Sequence, residues 1–175
     1  MKAELQKLLQ DKFLEYMHDS VFLLDTEYNI LDCNNAASEL YGYKKQEFLK
    51  LNLRDIRAPS VRDIVPAQMQ QALEENGTMW ETIHLRKDNT TFFAEVSSTP
   101  LLENDTHYFY HVVRDISDRK QAEFDLRQSE ERYHQIIDLS PDTIFIFRDA
   151  KIIFANQSAL KMFGANKTDQ LVGHS

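Results

Sequence analysis

The chain has 175 residues, 42% hydrophobic and 27% charged, and its 28 Asp and Glu against 20 Lys and Arg leave a net charge of −8. That is an ordinary globular composition, long enough for one domain plus part of another, and its acidity offers no footprint for a phosphate backbone, so no nucleic-acid contact is expected. No apolar run approaches the roughly 18 residues of a membrane helix, and a lone Cys33 cannot form an internal disulfide; a cytoplasmic segment without membrane contact is expected, which leaves room for a membrane-associated parent.

Residues 1–18 place Leu5, Leu9, Phe13 and Tyr16 or Met17 at helical spacing. They read as an amphipathic helix, either a cap over a sheet or part of a dimer interface. Next comes half of an internal repeat. Val21-Phe22-Leu23-Leu24 falls on Ile144-Phe145-Ile146-Phe147 at an offset of 123, and Ile30-Leu31-Asp32-Cys33-Asn34 on Ile152-Ile153-Phe154-Ala155-Asn156 at 122. Ala37, Tyr41, Gly42 and Leu49 then fall on Ala159, Phe163, Gly164 and Leu171. Each copy reads strand, tight turn, strand, Asn, short helix, Gly. The Asn suits an N-terminal cap and the Gly a left-handed exit.

After Gly42 the chain predicts a short helix over 44–49 and a longer one over 63–75, whose Pro66 fits the first turn. Strands follow over 78–86, 91–101 and 107–116, separated by Lys87-Asp88-Asn89 and Glu103-Asn104-Asp105. In the first of these, Met79, Glu81, Ile83 and Leu85 alternate with Trp80, Thr82, His84 and Arg86. Two strands before the helices and three after them make an α+β fold: a five-stranded antiparallel sheet with flanking helices. Residues 117–139 lack Gly and Pro, and Ala122, Leu126, Ser129, Tyr133 and Ile136 recur at heptad spacing along a helix about 34 Å long. Small Ala122 and Ser129 make a weak seam, suited to rotation or a register change; a solvated connector is the other reading. A second unit as long as the first would close near position 238, so residues 133–175 are expected to be an incomplete copy.

The run from Asp19 to Leu49, the strand Thr90-Thr91-Phe92-Phe93-Ala94-Glu95-Val96-Ser97-Ser98 and above all His111-Val112-Val113-Arg114-Asp115-Ile116-Ser117-Asp118-Arg119-Lys120 resemble a PAS domain ending in its PAC segment. Ser129-Glu130-Glu131-Arg132-Tyr133 onward resembles the start of a second PAS domain. The resemblance implies a PAS unit over 13–116, a signalling linker helix over 117–139 and a second unit from 133. It implies a sensory module, which detects a small molecule or a partner and passes the change through the helix to an output domain in the same chain. That output is most often a sensor histidine kinase; a diguanylate cyclase and a constitutive docking scaffold without ligand remain open. Asp115, Ile116 and Ser117 occupy the family's strand-to-helix motif, where Ser117 or Asp118 is expected to help cap the helix. By analogy Phe92, Ala94, Val96 and Ser98 face the concave side, the small Ala94 and Ser98 either leaving room for a ligand or accommodating bulky neighbours such as Trp80 or Phe48.

Haem and flavin are disfavoured: Cys33 is not in the light-sensing Asn-Cys-Arg context, and residues 64–75 hold no His, only Met69. An unidentified small-molecule ligand is compatible with the residues. His107 and His111 lie four apart on one strand without an acidic or thiolate partner at a fitting spacing, so no metal site is expected. With four glycines and no phosphate loop or nucleophile motif, the segment itself is not expected to be an enzyme. A homodimer paired along the linker seam is expected.

Overall fold

The computed structural model describes residues 15–165, 167 and 170–172; Leu5, Leu9, Phe13 and Gly173 lie outside them. The chain divides into two compact units between Lys120 and Gln121.

The first unit is built on a five-stranded antiparallel sheet: β1 (Ser20–Leu24), β2 (Ile30–Cys33), β3 (Thr78–Leu85), β4 (Thr91–Glu103) and β5 (Thr106–Asp115), in the order β2-β1-β5-β4-β3. The helical segments between β2 and β3 are α1 (Asn35–Tyr41), α2 (Lys45–Phe48), two 3-10 turns (Leu53–Ile56 and Pro59–Ile64) and α3 (Val65–Glu74). The expected helix over 63–75 thus divides into a 3-10 turn and an α-helix, with Pro66 in the first α-turn, where its missing N–H is harmless. α1 packs on β1 and α3 on β4. Between them lie Phe22, Tyr41, Phe48, Met69, Phe92 and Phe109, all buried. Phe22, Tyr41 and Phe48 meet edge to face at 5.3–5.8 Å between ring centres.

Local chemistry sets the turns. Asn104 and Asp105, both at positive φ, form the two-residue link of the β4–β5 hairpin, a geometry that matches strand twist and that Asn and Asp tolerate. Gly42 ends α1 at φ 77° while its N–H donates to the Ser38 carbonyl.

The helix α4 (Ser117–Leu139) follows β5 directly. Beyond it, β6 (Phe145–Arg148) and β7 (Lys151–Ala155) pair antiparallel and α5 (Gln157–Met162) follows. This is the strand-strand-helix order of β1, β2 and α1, as the repeat requires. The likeness extends to single bonds. Asn34 Oδ1 accepts from the N–H groups of Val21 and Ala37, at 3.0 and 3.1 Å; Asn156 Oδ1 accepts from Ile144 and Ala159, both at 3.0 Å.

Candidate functional site: a buried cationic core beside a clamped helix

The four positions expected to face inward on β4 do so: Phe92, Ala94, Val96 and Ser98 are all buried. The cross-strand register decides what shares their face. His84 stands opposite Phe92, Thr82 opposite Ala94, Trp80 opposite Val96, and Ser98 is flanked by Thr78 and His111. The polar set of β3 therefore points into the core and the apolar set points out, with Met79 exposed. Ser98 is engaged already, its hydroxyl donating to Met69 Sδ at 3.7 Å.

Arg57 enters this core from the irregular stretch between the two 3-10 turns, its backbone held in an isolated antiparallel bridge to His84. It is fully buried. Its guanidinium carbon lies 6.0 Å from the centre of the Trp80 ring, and that ring lies 6.1 Å from the His111 ring. On the other side the Tyr41 hydroxyl and His84 Nδ1 share a short hydrogen bond. Sequence reasoning placed none of Arg57, Tyr41, His84 or Thr82 in a site, and it weighed His111 only as a metal ligand with His107, which is exposed at the strand's far end.

Most of the other polar atoms of this cluster lack partners. Among the described residues no hydrogen bond reaches Arg57 Nε, Nη1 or Nη2, Trp80 Nε1, Thr82 Oγ1, His84 Nε2, or either ring nitrogen of His111; Ser20 Oγ and Gln68 Oε1 complete the set. No Asp or Glu is among the buried residues. Burial lowers the Arg57 pKa to about 10, opposed by Tyr41, which leaves the guanidinium charged at neutral pH. Burial also pushes both imidazoles well below their usual range, with the Arg57 charge adding to the effect at each, so both are neutral there. The core thus holds one positive charge without a counter-ion. Buried polar groups without partners cost on the order of 1–3 kcal/mol each, and an unpaired charge costs more.

This cluster adjoins the root of α4 through two short connections. The residues following His84 on β3 return to α1: Arg86 Nε donates to the Leu40 carbonyl at 3.0 Å and Lys87 N to that of Tyr41 at 3.0 Å. Arg86 also stacks over Phe92 at 4.3 Å and donates to Asp115 Oδ2 at 2.8 Å. The other Asp115 oxygen accepts from Ser117 N at 2.9 Å. The cap expected from Ser117 or Asp118 is therefore supplied by Asp115, because the Ser117 hydroxyl is turned back to accept from Phe93 N at 3.2 Å. Ile116 N donates to Phe93 O at 2.9 Å, so β4 grips the junction from both sides. One turn on, Arg119 bridges Glu81 and Glu95 at 2.8 and 3.3 Å, and Lys120 meets Glu81 at 2.6 Å.

Further along α4, Ala122, Leu126, Tyr133 and Ile136 are exposed and Ser129 is half-buried. Phe124, outside the heptad stripe, is exposed as well.

A family model described as PAS domain matches residues 18–118, and a second of the same description matches residues 131–174. Sporulation kinase A of Bacillus subtilis (strain 168) is 30% identical over 138 residues, covering 79% of this chain and 22% of that protein. Sporulation kinase E of the same organism is 25% identical over 153 residues, covering 86% and 20%. The chain thus spans about a fifth of the length of these relatives. Among solved structures, a PAS domain from a two-component sensor histidine kinase superposes with a TM-score of 0.58 at 20% identity, over 65% of this chain and 98% of that one. The PAS domain of a protein from Colwellia psychrerythraea gives 0.60 at 21% identity, over 64% and 98%. At such identities the likeness is one of fold. The five-stranded sheet, its helical flank and two successive family matches agree with the internal repeat, and the chain belongs to the PAS domain family.

Proposed function

We propose that this segment is the sensory input of a larger signalling protein, in which the core bounded by Phe92, Ala94, Val96 and Ser98 receives a small molecule and the change passes through Asp115, Ile116 and Ser117 into α4. The observation that carries the reading is the pair of bonds from the two Asp115 oxygens, one to Arg86 and one to Ser117 N. Arg86 is two residues from His84 in the buried cluster and is tied to α1 beside Tyr41. A shift of the core that moves β3 against α1 therefore pulls on the first turn of α4. Transmission requires a junction that can change its arrangement with the core, and these bonds tie the first turn of α4 to it.

In this reading the α4 seam of Ala122, Leu126, Ser129, Tyr133 and Ile136 pairs with a second copy across a two-fold axis. The two sporulation kinases support an output domain of kinase type in the same chain; a histidine kinase acting in the cytoplasm is the form this reading takes.

Native mass spectrometry of the purified protein, followed by amide exchange over residues 116–120 before and after dialysis of any bound species, tests this. Extra mass whose removal raises exchange there is expected, with Asp115→Asn breaking the response. A bare chain mass, together with exchange at 116–120 that Asp115→Asn leaves unchanged, would favour a docking scaffold instead.

A further inference from the structure

Resting on the sensory reading, we infer that the ligand of this core is a small monocarboxylate, its carboxylate seated on the guanidinium of Arg57 between Trp80, His84 and His111.

The first argument is polarity. A guanidinium carries five N–H donors and an indole one, and neither accepts. Arg57 and Trp80 together present these six donors, none of them used among the described residues. Thr82 Oγ1, His84 Nε2 and the His111 nitrogens can each turn donor or acceptor to suit what arrives. A neutral apolar ligand would leave all of these unsatisfied, and a cation would repel Arg57. An oxygen-rich anion satisfies them.

The second argument is charge. The cluster has one fixed positive charge, two neutral imidazoles and no buried carboxylate. A monocarboxylate brings the buried net charge to zero. A phosphate dianion would replace one uncompensated charge by another of opposite sign, and the buried residues include no Lys or second Arg to meet it. The planar fork of Arg fits a carboxylate through two parallel bonds. Donors beyond those two favour an acid with a further oxygen close to the carboxylate.

The third argument is position. Arg57 is not a core residue by default, since Arg is almost never fully buried unless paired. Its main chain is fixed on both sides: Ala58 N donates to Ile83 O at 3.0 Å, and the Arg57 carbonyl accepts from Arg62 Nε at 3.0 Å. The side chain is thus held inside by structure that makes no use of its charge. Ala94 and Ser98, the small residues of β4, stand in register beside Thr82 and His111 on the same face.

The test is titration of the intact protein with acetate, glycolate, acetamide and inorganic phosphate, read by the Trp80 indole N–H and the imidazole resonances in NMR and by thermal midpoint. Saturable shifts with acetate, larger with glycolate and absent with acetamide, are expected. Arg57→Met should weaken acetate binding by about tenfold or more, and Arg57→Lys should fall between the two because it keeps the charge and loses the fork. Trp80→Phe, which keeps an aromatic ring and drops only the donor, gives a second reading should Arg57→Met fail to fold. Equal response to acetamide, binding indifferent to both Arg57→Met and Trp80→Phe, or preference for phosphate would each overturn the carboxylate while leaving a ligand-binding core standing. No response to any probe would overturn it also. In that case the sensory reading is decided separately, by the mass of the purified protein and exchange at 116–120.

Discussion

Asn34 spends one side chain on three backbone groups: its oxygen takes the N–H groups of Val21 and Ala37, and its Nδ2 donates to the Asp19 carbonyl. It joins the start of β1 to the start of α1, and Asn34→Ala leaves three buried or half-buried groups unpaired. At about 1 kcal/mol per bond, a loss of roughly 2–4 kcal/mol is expected in urea denaturation. The sequence exposed this residue because the repeat printed it twice, at the same distance from the following Gly. Arg57 had no such signal. It lies in the irregular link between two 3-10 turns, where neither the period of a helix nor that of a strand says which way a side chain points. The imidazoles give the residue scale its pH dependence. Both His84 and His111 have folded-state pKa values well below the roughly 6.5 of an unfolded chain. Below about pH 6.5 the unfolded state takes up protons that the folded core refuses, so stability is full above that pH and declines as pH falls, by up to roughly 2.7 kcal/mol per unit for the two together. Glu47, Glu81 and Asp88 are shifted down by their partners, so their contribution is lost only below about pH 4.5, a separate window. Denaturation midpoints from pH 7.5 to 5.5 should show the decline, and His111→Phe should roughly halve its slope.

At the scale of elements, β3 shows how pattern and placement diverge. Its alternation is plain in the sequence, but hydrophobicity alone would turn Met79, Ile83 and Leu85 inward, and the structure buries Thr82 and His84 instead. The turn decides it. With residues 86–90 joining the strands, Leu85 pairs with Thr91 and every even-numbered residue of β3 falls on the face of Phe92, Ala94, Val96 and Ser98. Reading β4 correctly therefore implied the polar face of β3, and with it half of the candidate site. The end of α1 was legible from one residue. Gly42 sits at φ 77° with the nearest foreign atom 3.8 Å from where a Cβ would stand, so Gly42→Ala meets backbone strain rather than a clash. A loss of about 1–2 kcal/mol is expected on that ground, with the β3–β5 amides retaining their relative protection in hydrogen exchange. A change several times larger would mean that the α1 exit also positions Lys87, whose N–H is held by the Tyr41 carbonyl.

At the scale of the molecule, the proposed sensory role rests on how a change inside one unit leaves it, and α4 is the covalent route to the residues beyond. Its first turn is clamped by Asp115, Glu81 and Glu95, whereas the apolar side chains of its heptad stripe face solvent: Leu126 is 62% exposed, Tyr133 64% and Ile136 60%. A helix so polar on average and so poorly buried gains little from its own unit. In the dimer proposed above, α4 pairs with a second copy and Leu126 lies at the seam between Ala122 and Ser129. Small residues on either side make Leu126 the principal apolar contact of that stretch, so replacing it should be felt strongly. Leu126→Glu places a carboxylate where pairing would strip its water, and the dimer is expected to dissociate to the mass of a single chain in light scattering, with the fold of the first unit intact by circular dichroism. A variant that remains dimeric would move the interface off α4 and onto another surface, such as the outer sheet face on which Met79, Phe93 and Leu101 are exposed.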